Sequence, residues 1–107
     1  TDLIIMVLCI LVSIALNSES SAEEVKSRLV EFAQSYRSDQ GTLDWHVMQN
    51  PKDKTKFAIV ERYTDGKAIK THTGTNPLYP KFGKWIAPLV ASPPVITVYT
   101  ELGSAKL

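Results

Sequence analysis

Cysteine and histidine are scarce in this sequence, and their scarcity limits the chemistry it can carry. Only one cysteine, Cys9, occurs in 107 residues, which excludes an internal disulfide and a cysteine metal cluster. The two histidines, His46 and His72, show no metal-ligand spacing to each other or to the carboxylates. We therefore predict no metal and, from the lone thiol, a reducing cytoplasmic setting.

An excess of charge of either sign is also missing. Twelve basic and eleven acidic residues give a net charge of +1, and the basic residues form no stripe. A domain that follows a phosphate backbone usually carries such a stripe. The sequence therefore predicts no nucleic-acid partner.

No apolar run is long enough to cross a membrane as a helix. The longest, LIIMVLCILVSIAL over residues 3–16, falls short of the roughly 18 residues that a span needs. Its length matches the apolar part of a signal peptide, but Asp2 precedes it where Lys or Arg is usual. Its content of Ile, Val and Leu favours a buried β-strand, and a signal remains the alternative.

A strand that is apolar on both faces must be covered on both faces. Helices of the same chain would cover one face of this first strand. A chain of 107 residues has little more to offer, so we expect a second subunit on the other face. The sequence thus predicts a homodimer without a membrane partner.

The following residues alternate between helix and strand patterns. A helix is predicted over residues 20–38, because two Ser-x-x-Glu capping boxes precede an apolar stripe at helical spacing. The stripe consists of Val25, Leu29, Phe32 and Tyr36. Gly41 follows the helix and can adopt the left-handed conformation that closes it. A turn at residues 50–54 then joins two alternating segments, 42–49 and 56–63, into an antiparallel hairpin.

The last third predicts two helical segments and a strand. A short helix is expected over residues 65–73, an amphipathic helical segment over 81–90, and a final strand over 95–102. The order is βαββαβ with an extra helix before the last strand. We predict one α+β domain over residues 1–107, with a ferredoxin-like split βαβ fold: a four-stranded antiparallel sheet with helices on one face.

Alternation places chemically useful side chains on one face of the hairpin. Trp45 falls on the face opposite His46, and Phe57, Glu61 and Tyr63 share a face of the second arm. We expect Trp45 and Tyr63 to line one cavity. The carboxylate of Glu61 needs a partner there. Its role is either structural, accepting hydrogen bonds or pairing with a Lys or Arg at the strand end, or functional, accepting a proton or orienting His72.

Three motifs occur in a fixed order along this chain. They are Gly-x-Leu-x-aromatic (Gly41, Leu43, Trp45), Phe-x-x-x-Glu-x-aromatic (Phe57, Glu61, Tyr63) and Ala-x-x-x-His (Ala68, His72). Together they resemble the antibiotic biosynthesis monooxygenase (ABM) family. The resemblance implies homodimers whose two sheets form a barrel, with a pocket between sheet and helices in each subunit.

Members of that family differ in activity. Some oxidise aromatic polyketides to quinones with O2 and no cofactor, some degrade haem, and many have no assigned activity. The haem-degrading members pair a strand tryptophan with an N-terminal asparagine, whereas this chain has Tyr63 at the first position and no asparagine before Asn17. Haem degradation is therefore not predicted.

The predicted site combines acid–base groups with an aromatic wall. His72, at the end of a helix whose dipole raises its basicity, would take a phenolic or enolic proton, with a surface role as the alternative. The candidate catalytic residues are His72, Tyr63 and Glu61. The candidate substrate-binding residues are Trp45, Phe57, Tyr79, Phe82 and Trp85, although aromatic residues at such spacings are more often core.

Three functions remain open at this point. The first is a small cofactor-independent monooxygenase of secondary metabolism that acts on an aromatic or polyketide-like phenol or quinone. The second is a non-oxidative polyketide cyclase on the same fold. The third is a non-catalytic dimeric protein that binds ligands or is associated with stress, because one fold hosts many functions.

Overall fold

A computed structural model describes residues 6–102, apart from the side chains of Thr71, His72 and Thr75. The elements in chain order are β1 (Leu8–Ala15), α1 (Ala22–Arg37), β2 (Thr42–Gln49), β3 (Lys56–Tyr63), α2 (Gly66–Thr75), α3 (Leu78–Ile86) and β4 (Val95–Thr100). Short 3-10 turns at Glu19–Ser21 and Ala87–Leu89 precede α1 and follow α3.

The strands form one sheet in the order β2-β3-β1-β4, and all neighbouring strands are antiparallel. This arrangement confirms the predicted α+β fold with a ferredoxin-like split βαβ order. The most apolar strand, β1, lies between β3 and β4, where both of its edges are paired. Both hairpin strands have the predicted bounds, because the alternation that defines them is local.

One face of the sheet packs against the helices. The register aligns Val12 with Ile59 and Ile14 with Phe57, and all four side chains are buried on this face. The apolar stripe of α1 lies over them, with Val25 and Leu29 fully buried. We call this the helix face. Burial of a side chain of this size stabilises the fold by roughly 1.5–3 kcal/mol, so these layers hold the cavity walls in place.

The other face, which we call the open face, carries no helix among residues 6–102. Several apolar side chains are exposed there, among them Leu11 at 38%, Met48 at 44% and Tyr99 at 56%. The expectation that β1 is covered on both faces is therefore met by this chain on one face only. Whatever covers the open face is not contributed by the described part of the chain.

The beginning of α1 differs from the predicted capping boxes. Ser18, not Ser20 or Ser21, supplies the side-chain cap: its hydroxyl accepts from the Ser20 N–H at 3.2 Å and begins the 3-10 turn. Ser21 precedes α1 without a side-chain cap. The Ser-x-x-Glu boxes are wrong because the chain enters α1 through an extra 3-10 turn, which moves the cap upstream.

The helix α3 begins at Leu78, three residues before the predicted start, and ends at Ile86. Pro80 therefore lies in the first turn of the helix and not in a loop. A proline is tolerated there because the first N–H groups of a helix have no intrahelical acceptor. The predicted end at residue 90 is also wrong, because a 3-10 turn follows at Ala87–Leu89.

The apolar run at the N-terminus becomes β1 from Leu8 onward, and residues 3–5 of the run lie outside the described residues. The final strand is shorter than predicted and ends at Thr100. Within residues 6–102, no helix has the length and apolar character that crossing a membrane requires.

Candidate functional site

A cavity of about 590 Å³ lies between the helix face of the sheet and the helices α2 and α3. Its walls are mostly apolar, and many of their aliphatic side chains come from the strands of the sheet and from the segment 87–96 that follows α3. The sheet side consists of Ile10, Val12, Trp45, Ile59, Glu61 and Ile96. Such a volume suits one small organic molecule, and the predominance of carbon at the walls favours an apolar body.

Glu61 brings a carboxylate into this apolar wall. Glu61 is only 6% exposed, and its Oε1 accepts a hydrogen bond of 2.5 Å from the Tyr63 hydroxyl. The two side chains point to the same face because they are two residues apart on β3. Trp45 lies opposite Glu61 in the β2–β3 register, so all three side chains gather at one place on the helix face.

Tyr63 lies behind the cavity wall, fully buried and outside the lining. The expectation that it lines one cavity with Trp45 is therefore wrong, because a shared sheet face does not determine which side chains reach the cavity. Burial raises its pKa far above the ordinary value of 10, and the charge and hydrogen bond of Glu61 raise it further. Tyr63 therefore stays protonated while the protein is folded and acts on Glu61 as a donor.

Tyr36 is a cavity residue that the sequence analysis assigned only to the core stripe of α1. It is 1% exposed overall, yet it lines the cavity beside the carboxylate of Glu61. Burial raises its pKa, and the charges of Glu61 and Asp39 add to this effect. The one sequence signal was a phenol in an otherwise apolar stripe, because a buried tyrosine hydroxyl usually has a polar partner.

The five predicted substrate-binding residues divide into two groups. Trp45, Tyr79 and Phe82 line the cavity. Trp85 lies outside the lining, and its ring is tilted against that of Phe32 of α1 at a ring-centroid distance of 5.7 Å. Phe57 also lies outside the lining, in the core near the other end of β3.

His72, the third candidate catalytic residue, belongs to α2, but its side chain lies outside the described residues. His46 is on the open face, where its Nε2 is 3.4 Å from a carboxylate oxygen of Asp44. It therefore points away from the cavity. This location agrees with the alternation that separated it from Trp45.

A polar network crosses one end of the open face. The guanidinium of Arg62 donates to Glu101 at 2.6 Å and 3.0 Å, and also to Asp44 at 2.5 Å. The Cys9 thiol donates to the same carboxylate of Glu101 at 3.1 Å, and burial together with this carboxylate raises the thiol pKa. A raised pKa keeps the thiol protonated, so Cys9 is a poor nucleophile.

Comparison with known proteins places the chain in a family. The antibiotic biosynthesis monooxygenase family matches residues 9–87, which is most of the chain, and the chain belongs to this family. No curated protein matches the chain.

Solved structures show the same architecture at low sequence identity. A Nitrosomonas europaea protein, provisionally named an antibiotic biosynthesis monooxygenase, is 17% identical with a TM-score of 0.85, over 97% of this chain and 98% of that one. PA3566 from Pseudomonas aeruginosa is 20% identical with a TM-score of 0.80, over 91% and 95%. Rv0793 from Mycobacterium tuberculosis is 17% identical with a TM-score of 0.83, over 94% and 99%. At these identities the likeness concerns the fold alone.

Proposed function

We propose that this protein is a cofactor-independent monooxygenase that oxidises a phenolic or polyketide-like aromatic compound with O2. One observation carries the proposal: the carboxylate of Glu61 lies in the wall of an otherwise apolar cavity and accepts a hydrogen bond from Tyr63. A buried acid that faces an empty volume can accept a proton from a molecule that fills it. The name of the family, antibiotic biosynthesis monooxygenase, supports this class of reaction.

The reaction begins with removal of a proton from the aromatic substrate. Glu61 takes a proton from the phenol or from an activated methylene group, and an electron-rich carbanion remains. The carbanion transfers an electron to O2, and the resulting carbon radical and superoxide combine to a peroxide anion. This anion takes back the proton held by Glu61 and becomes a hydroperoxide. Loss of water from the hydroperoxide leaves a carbonyl, so that a methylene group and one molecule of O2 give a carbonyl group and one molecule of water.

The neighbouring side chains have separate tasks in this proposal. Tyr63 donates to one oxygen of Glu61 and holds the carboxylate in place, while the phenol of Tyr36 can donate to the oxygen of the developing enolate. Trp45, Tyr79 and Phe82 hold the flat substrate. His72 remains a candidate for a second base. It directly precedes Thr73 on α2, and Thr73 lines the cavity.

Oxygen uptake tests the proposal directly. Protein treated with a chelator and freed of flavin is mixed with anthrones and naphthols, and O2 consumption is compared with the uncatalysed rate. The variant Glu61→Gln still accepts a hydrogen bond from Tyr63 but takes no proton, so its rate should fall by about a hundredfold. The matched control Asp53→Asn, in the hairpin turn and outside the cavity lining, should keep the full rate.

Two other outcomes lead to the alternative functions. A polyketide cyclase could also use the hydrogen-bonded pair of Glu61 and Tyr63 for general acid–base catalysis. Conversion of a poly-β-ketone without O2 consumption would favour the cyclase. Binding of the same compounds without any turnover would favour a non-catalytic binding protein.

We also propose that the protein works as a homodimer joined through its open face. Exposed Leu11, Met48 and Tyr99 make this face apolar, and the network around Arg62 borders it. Apolar area with a polar border is the usual composition of a dimer interface. A second copy would cover the face of β1 that this chain leaves exposed.

A further inference from the structure

Charge is distributed unevenly along this chain although its total is close to zero. The first 65 residues hold seven basic and ten acidic side chains, whereas residues 66–100 hold four lysines and no acidic residue. This second segment contains α2, α3 and β4. The helices that cover the cavity are thus the basic part of the molecule.

Two of the four lysines stand three or four positions from residues of the cavity wall. Lys84 stands between Pro80 and Ala87 at spacings of four and three, and both of these neighbours line the cavity. Lys70 precedes the lining residue Thr73 by three residues on α2. Both lysines are exposed. We call Lys70 and Lys84 the rim lysines, because this spacing places them beside the lining and not within it.

Nothing on the same segment offsets this charge. The remaining polar wall residues on α2, α3 and the loop before β4 are neutral, such as Thr73, Tyr79 and Ser92. The charged lining residue, Glu61, is buried in the sheet on the opposite side of the cavity. A concave apolar surface with cationic groups at its edge concentrates anions at that edge.

We propose that the cavity takes an anionic amphiphile: a flat apolar body that fills the space beneath α3 and a carboxylate, sulfonate or phosphate group that remains at the rim lysines. This inference rests on the proposed function only in taking the same cavity as the substrate site. It narrows the substrate class from any phenol to one with a negatively charged substituent. Solvation of the helix surface is the competing role for these lysines.

A pair of fluorescent probes tests this inference by binding alone. N-phenyl-1-naphthylamine and 8-anilino-1-naphthalenesulfonate share one aromatic body, and only the second carries an anionic group. We expect the sulfonate to bind about threefold to tenfold more tightly than the neutral probe at low ionic strength. The difference should shrink as salt is added, because the charges at the rim are exposed to solvent.

Three variants locate the binding site and the charge effect. Lys70→Gln/Lys84→Gln should remove the preference for the sulfonate and leave the neutral probe unchanged. The control Lys52→Gln/Lys54→Gln removes the same charge from the hairpin turn, outside the cavity lining, and should keep the preference. Gly83→Leu should weaken both probes, because Gly83 lines the cavity and a Cβ built there meets no atom within 4 Å.

The outcomes separate this inference from the proposed function. An equal affinity for both probes, or a preference that persists in Lys70→Gln/Lys84→Gln, overturns the anionic rim. If the control Lys52→Gln/Lys54→Gln loses the preference for the sulfonate to the same extent, the preference reflects only the net charge of the protein. That result also overturns the anionic rim site. Failure of the oxidation assay leaves all of these binding results unchanged, since none of them depends on turnover.

Discussion

Gly41 and Ala68 belong to the motifs that mark the family, and their contact explains why both are small. Gly41 has a φ of 86°, a backbone conformation that residues other than glycine rarely adopt. A Cβ built on Gly41 would lie 2.4 Å from the Cβ of Ala68. The Gly41 carbonyl also accepts from the Thr64 N–H at 2.9 Å, so this approach joins the start of β2 to the end of β3.

We predict that Gly41→Ala lowers the free energy of unfolding by about 2–4 kcal/mol, because backbone strain and the steric clash act together. Urea denaturation measures the change. Gly74→Ala serves as control, since a Cβ there meets no atom within 4 Å, and it should cost less than about 1 kcal/mol. If Gly41→Ala is as stable as the control, the close approach at Gly41 is wrong.

Some residues of the candidate site could be predicted from the sequence, and others could not. Alternation correctly placed Glu61, Tyr63 and Trp45 on one face, because the side-chain period of a strand is local. It does not give depth along the strand: Phe57 shares the face of Glu61 but lies four residues, or about 13 Å, away. Tyr36 was missed for a related reason, since a helical stripe does not reveal which of its members borders a cavity.

At the scale of elements, the junction between α2 and α3 is held by a buried polar contact. The side-chain amide of Asn76 donates to both carboxylate oxygens of Asp39 at 2.9 Å, and its oxygen accepts from the Leu78 N–H at 2.9 Å. Asn76 is 7% exposed. This contact joins the end of α1 to the start of the helix that forms the outer cavity wall.

Removal of this contact should loosen α3 more than the rest of the fold. We predict that Asn76→Ala costs about 1–3 kcal/mol, because a carboxylate and a helix N–H both lose their partner. Asn76→Asp should cost at least as much at neutral pH, since it places a second carboxylate against Asp39. Hydrogen exchange should show faster exchange in α3 than in β1, whereas uniform loosening would contradict this account of the junction.

The start of α3 could not be predicted from the sequence. The prolines and Asn76 suggested a loop through residue 80, because each of them is common in turns. In the folded chain, the side-chain oxygen of Asn76 accepts from the N–H of Leu78, the first residue of α3, and Pro80 occupies the first turn of this helix, where a proline is tolerated. The same residues therefore fit a loop or a helix start, and tertiary contacts with Asp39 decide between them.

At the scale of the whole molecule, the open face tests the proposed dimer. Leu11 lies in the middle of this face, paired with Val60 of β3 and Thr97 of β4. We predict that Leu11→Lys converts the protein to a monomer in sedimentation experiments, because it places a charge within an apolar contact. Val30→Lys, at a similarly exposed apolar position on α1, should leave the dimer intact.

Two results would contradict the dimer in that experiment. A wild-type monomer at micromolar concentration removes it altogether. A dimer that survives Leu11→Lys but is lost in Val30→Lys moves the interface to the helices. Circular dichroism of each variant confirms that a change in mass reflects dissociation and not unfolding.

Incorporation of oxygen from labelled O2 is the most direct test of the proposed monooxygenase activity. An anthrone is converted under ¹⁸O2 in ordinary water, and the quinone is examined by mass spectrometry before its carbonyl exchanges with the solvent. The proposed reaction places one ¹⁸O atom in each product molecule and releases the second as water. We expect Glu61→Gln to lose this product. A product formed at the same rate without ¹⁸O, or no product at all, would contradict the assignment of this cavity to oxygenation.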